Sequence, residues 1–391
     1  MRELRRQLCG VVCVLACGES AARAWAQLAS SMLTLRDGVP PPAMLVRDVT
    51  ADGVELVAGE SDGAAMQLLT WDRVASVQGN WRDKAAPYRA MSNDLWRARV
   101  RLERGDSLGA EPLLEKHAAT FAQRQGPLSA MVWSGLLRCR VNRQAQSAAI
   151  VAWAGVVRAG QGEVVFASRA KAGDEARDTA IIDAGTMLAP QLAPIFLPAP
   201  SLQIVTQAIP AKSETRADKL MLLYVAAADF ELGRKTPLPA RESDDVALAL
   251  TWDVVAARIG DDATKATAKK NLQARLQAAE PPRWQEAWVR VALGRLMIAS
   301  TDVEERRLGV VMLLHVPARL ADAHPYLAGI ALAEVSVMLA RDGDVTAARN
   351  TLAKLESDFS GHPALAWDGL RAVRNAEVKK TASADSQGGA R

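Results

Sequence analysis

The sequence predicts a mainly α chain: an α-solenoid of antiparallel helix pairs, preceded by a small antiparallel β barrel or curled sheet. Three observations carry this. Residues 27–80 hold short runs of period-two hydropathy separated by Gly-containing turns. From residue 94 to 375, Ala, Leu, Arg and Glu dominate at helical spacing. One pattern also occurs twice. Gly105 and Gly343 are each followed by Asp, then by Ala at +5, Leu at +9, Lys at +11 and Phe at +16. A pattern repeated at fixed offsets is the mark of repeat architecture.

The first 26 residues read as a signal peptide. Met1 to Arg6 is basic, and Leu8 to Cys17 is apolar but too short to span a bilayer. Ala24-Trp25-Ala26 fits a cleavage site, and Ala22-Arg23-Ala24 is an alternative. Val14-Leu15-Ala16-Cys17 loosely resembles the bacterial lipobox, which makes Cys17 a candidate lipid anchor. The expected location is therefore the periplasm or cell envelope, with secretion as an alternative. Three of the four cysteines lie in this segment. The mature chain would keep Cys139 alone and have no intramolecular disulfide. Cys139 shares an apolar helical face with Val132 and Leu136, so it is expected to be buried. The charge balance, 48 basic against 44 acidic residues, does not describe a polyanion-binding surface, and no nucleic-acid partner is expected.

In the β module, strands are expected around Leu33 and Leu35, then at Met44 to Val49, Val54 to Val57, Met66 to Trp71 and Val74 to Val77. Asp37-Gly38, Asp52-Gly53 and Asp62-Gly63 supply turns. Pro40-Pro41-Pro42 must sit in a loop or at an edge. The module resembles the SH3-like or Sm-like small barrels that begin some exported bacterial proteins. That resemblance implies a structural cap, or a peptide-binding surface. Residues 81–93 read as a linker. Helices are expected at 95–104, 108–121, 129–141, 144–159, 215–232, 244–259, 263–278, 284–299, 303–314, 326–341, 345–358 and 363–378.

The repeated pattern has a physical reading. Gly ends one helix because it tolerates the left-handed conformation. The Ala leaves room for the partner helix, and the Leu lies on the same face. Gly105/Gly343, Ala110/Ala348 and Leu114/Leu352 sit where the tetratricopeptide repeat has its turn Gly, small residue and large second-helix residue. The chain resembles that family over about two repeats, and the resemblance implies a scaffold that presents a helical surface to a protein or peptide. Between about 160 and 215 the pattern fails. There Pro190, Pro194, Pro198 and Pro200 punctuate an apolar stretch from Met187 to Leu202. Its side chains need cover, so it is expected to pack against the helices, with a mobile partner-binding loop as the alternative. The tail 376–391 is expected to be disordered.

No residue pattern points to catalysis, a cofactor or a metal. His117, His315, His324 and His362 have no metal-ligand spacing, and Asp322-Ala323-His324 reads as a solvated turn. The acidic pairs Asp244-Asp245, Asp261-Asp262 and Glu304-Glu305 fall at helix N-termini, where they complement the macrodipole. Trp284 and Trp288 share a helix face and are expected to pack in the core rather than line a groove. Arg97, Arg101 and Arg104 form a basic stripe, expected to be a solvated face, with an anionic partner as the alternative. The expected function is a non-enzymatic exported scaffold or adaptor for a protein or peptide. The alternatives are an envelope hydrolase without a local motif and a lipid-anchored assembly factor.

Overall fold

A computed structural model describes residues 32–58, 64–166, 180–208, 215–278 and 280–375. The expected signal peptide, Cys17, the Asp62-Gly63 turn expected in the β module and the tail 376–391 lie outside the described residues. By their contacts, the described residues divide into two compact units. One lies within 1–144 and 155–180, the other within 145–154 and 181–391. The fold is mainly α with a small antiparallel β module.

The first unit opens with β1 (Leu33–Leu35), β2 (Leu45–Val49), β3 (Gly53–Val57), β4 (Met66–Thr70) and β5 (Val74–Val77). They form two antiparallel sheets, β2-β3-β4 and β1-β5, and do not close into a barrel. Three prolines follow β1, and a proline ring has no N–H to extend a ladder towards β2. Leu33, Val54, Leu56 and Val74 turn inward, and the Trp71 indole donates to the Thr50 carbonyl at 3.0 Å. Gly53 is required where it stands. Its φ is 155°, and a Cβ there would lie 2.1 Å from the Leu69 carbonyl oxygen.

Three helices follow, α1 (Arg89–Glu103), α2 (Ser107–Phe121) and α3 (Pro127–Asn142), and then α4 (Gln146–Ala159), whose residues up to Ala154 belong to the second unit. α1 starts earlier than the sequence suggests, and residues 82–88 are already helical turns, so most of the expected linker is structured. Pro87 lies in the opening turn of a 3-10 segment, where a missing N–H costs nothing.

In the second unit come α5 (Arg216–Glu231), α6 (Val246–Ile259), α7 (Asp262–Gln277), α8 (Arg283–Ile298), α9 (Val303–Arg319), α10 (Pro325–Arg341) and α11 (Val345–Asp358). Successive helices pack on one another, and α6, α8 and α10 also pack side by side. The burial follows from this. α6, α8 and α10 are buried on nearly every face, whereas α7, α9 and α11 bury one stripe each, such as Ala348, Leu352 and Leu355 on α11. α9 runs five residues past its expected end at 314, through Pro317, because a proline in the last turn removes only a terminal hydrogen bond. The helix expected at 363–378 is instead a 3-10 turn, Pro363–Ala366, followed by helix over 368–375.

The two Gly-Asp turns have the same conformation. Gly105 and Gly343 take φ of 77° and 89°. Asp106 and Asp344, at φ −83°, cap α2 and α11 by accepting from the backbone N–H of Gly109 and Ala347 at 2.8 and 3.0 Å. Each Asp also donates its own N–H back, to the carbonyls of Arg101 and Leu339. Ala110, Ala348 and Leu114 are fully buried, as the small and large positions of a helix crossing require.

The Pro-rich insertion packs within the second unit. Leu188, Leu192, Ile195, Phe196 and Leu202 are buried. Three aromatic side chains hold its backbone. Trp153 donates to the Met187 carbonyl at 2.9 Å, Tyr224 to Leu192 at 2.6 Å and Trp288 to Pro190 at 2.9 Å. Gln191 reaches the Ala323 carbonyl at 2.7 Å. The insertion thus lies on α4, α5, α8 and the turn before α10.

Candidate functional site

The first unit contains an open cleft of about 390 Å³ lined by polar side chains. The pairing of β1 with β5 builds one wall. The backbone N–H of Arg36 donates to the Arg73 carbonyl at 2.9 Å, which sets the two arginines side by side with Asp72 next in the chain. α1 builds the other wall. Trp96, Arg99, Glu103 and Arg104 fall at helical spacing on one face.

Two of the guanidinium groups are fixed in place. Arg36 donates through Nε to the Val74 carbonyl at 3.0 Å, and through Nη2 to Ser92 Oγ at 2.9 Å and Asn93 Oδ1 at 2.6 Å. Its guanidinium lies 4.9 Å from the Trp96 ring centre, a cation–π distance. Burial draws the Arg36 guanidinium below its ordinary value, with Asp72 acting in the opposite direction. Arg99 donates to Asp72 at 2.5 Å and to Glu103 at 3.0 Å. Burial opposes its charge too, but Asp72 and then Glu103 outweigh it and hold Arg99 above its ordinary value. Asp72 is 2% exposed, and its Oδ1 has no hydrogen bond among the described residues. Arg73 and Arg104 stand exposed at the rim, with no ion pair among the described residues.

The basic stripe seen in the sequence divides here. Arg104 faces the cleft, Arg101 turns to Asp106 at 3.2 Å, and Arg97 is exposed. Arg36, Asp72 and Arg99 were not singled out from the sequence. The Arg99–Glu103 spacing of four was the one local signal available.

The remaining expectations fall as follows. Cys139 is 1% exposed, and burial, then the Glu111 carboxylate, pushes its thiol up to about 12. Asp322 is exposed and pairs with Arg283 at 2.6 Å. His324 is not solvated. It is fully buried and caps α10, with Nδ1 accepting from the Leu327 N–H at 3.2 Å. His362 caps the next turn in the same way, and its Nε2 donates to the Tyr326 carbonyl. Trp288 is buried, and Trp284 packs edge-on against it at 5.1 Å. Asp245, Asp261 and Asp302 are the capping acids at α6, α7 and α9.

The second unit holds a different polar cluster. Buried Arg295 lies 2.9 Å from both Glu231 and Glu334, and Glu231 also accepts from Arg258 at 2.9 Å. Arg258, Arg295 and Glu334 border a pocket of about 150 Å³. These charges compensate one another, so the cluster reads as internal structure. Among the described residues, no group of three or more His, Cys, Asp or Glu could hold a metal ion, and no helix is long and apolar enough to cross a membrane. No family model, curated protein or solved structure matches the chain.

Proposed function

We propose that the chain is a non-enzymatic adaptor of the cell envelope, a tetratricopeptide-like helical protein with an SH3/Sm-like β module that holds a protein or peptide partner. Export rests on the reading of the first 26 residues. The observation that carries the binding reading is the contrast between the two units. In the second, the insertion already lies on α5 and α8, held by three aromatic donors. In the first, the arginine-lined cleft stays open, with exposed guanidinium groups at its rim. The partner therefore engages the cleft rather than the helical face that the insertion covers.

A photo-crosslinking amino acid in place of Arg73, in the full chain within its own cells, tests this. The expected result is one specific protein adduct, absent when the probe replaces exposed Lys354. Identical adduct patterns at both positions, or none at Arg73, would sink the adaptor reading.

A further inference from the structure

We infer that the cleft is a carboxylate-recognition site and that its ligand is an acidic peptide segment. This deepens the adaptor reading and rests on it for the peptide nature of the partner.

The inference begins with hydrogen bonds left over. Arg36 spends Nε and Nη2, and Arg99 spends Nε and Nη1. Nη1 of Arg36 and Nη2 of Arg99 have no hydrogen bond among the described residues. Each remaining nitrogen is a charge-assisted donor to a carboxylate oxygen. Both guanidinium groups are held before any ligand arrives, so the entropy of ordering them does not weigh on binding. Asp72 acts as a positioning residue, holding Arg99 through Oδ2 and opposing the desolvation of Arg36.

Charge sets the sign of the ligand. Four arginines face three acids, Asp37, Asp72 and Glu103, which leaves 4 − 3 = +1. The rim cations Arg73 and Arg104 make no ion pair among the described residues. A cleft of about 390 Å³ that is open to solvent has room for more than one side chain. A segment with two neighbouring carboxylates meets both the fixed pair and the rim pair.

Fluorescence anisotropy with the full chain at low ionic strength is the test. The probe is a labelled hexapeptide, Gly-Glu-Asp-Glu-Leu-Gly, beside its Gln/Asn counterpart, with glutarate and inorganic phosphate as competitors. The acidic peptide is expected to bind about tenfold more tightly than the amide version. The Arg73→Ala/Arg104→Ala variant is expected to lose about tenfold, with an unchanged melting temperature because both side chains are exposed. Arg99→Lys keeps the charge but not the planar group that Asp72 and Glu103 hold in place, and is expected to weaken binding about threefold or more. Glutarate is expected to displace the peptide at lower concentration than phosphate. Equal affinity for the two peptides, or undiminished binding by the double variant, overturns the inference. Displacement by phosphate ahead of glutarate overturns the carboxylate assignment. A captured partner with no acidic preference leaves the adaptor reading standing alone. Acidic preference without a captured partner does the reverse.

Discussion

His324 and His362 show how much a single residue can carry here. Each precedes a proline, and each uses Nδ1 as a helix-cap acceptor. A ring nitrogen can accept only while unprotonated. Burial pushes His324 down to about 3 and lowers His362 in the same direction. An unfolded histidine takes up its proton near about 6.5. Between those values the unfolded state binds more protons, so stability is present above about pH 6.5 and is lost as pH falls. His324→Asn supplies a cap that does not titrate. From pH 7 to pH 5, the native chain is expected to lose about 2 kcal/mol more than this variant in urea denaturation. Parallel pH profiles for the two proteins would remove His324 as the cause.

At the scale of elements, tryptophan serves as a fastener to the backbone of a neighbouring segment. Indole N–H groups of Trp71, Trp133, Trp153, Trp252 and Trp288 donate to carbonyls of Thr50, Phe121, Met187, Pro239 and Pro190. Indole is a donor only, and so suits a carbonyl that proline-rich chain leaves without an amide partner. Trp288→Phe keeps most of the packing and removes the indole donor from the Pro190 carbonyl. It is expected to cost about 1–3 kcal/mol and to expose 187–202 to chymotrypsin, which should leave that stretch uncut in the native chain. Rapid native cleavage there would contradict the docked insertion.

These elements also mark what was legible beforehand. All five strands and the core of each long helix follow from period-two and helical spacing, because both periods are local. The start of α1 was not legible, since Ala85-Ala86-Pro87 lacks an apolar stripe and Pro reads as a stop. The cleft was hidden for a different reason. β1 skips three strands to pair with β5, and only that pairing brings Arg36 to Arg73 and the face of Arg99. The covering of the helices by the insertion was foreseeable from its apolar content, but not the three aromatic side chains that hold it.

Considered as a whole molecule, the insertion imposes an order in time. The helices of the second unit mostly pack on their sequence neighbours, contacts that form early because they close short loops. The insertion instead bridges 98 residues from Pro190 to Trp288 and 132 from Gln191 to Ala323. Its docking must wait until α8 and the start of α10 exist. Leu192→Ala, at a fully buried position, is therefore expected to cost about 2–5 kcal/mol while speeding unfolding and leaving the refolding rate nearly unchanged. Stopped-flow refolding slowed in proportion to the lost stability would place the insertion in the folding nucleus instead. With late docking, the newly made second unit passes through a stage in which its helices are paired but bare. During that stage the apolar surfaces around Trp153, Tyr224 and Trp288 are open to chaperones and to other copies of the chain.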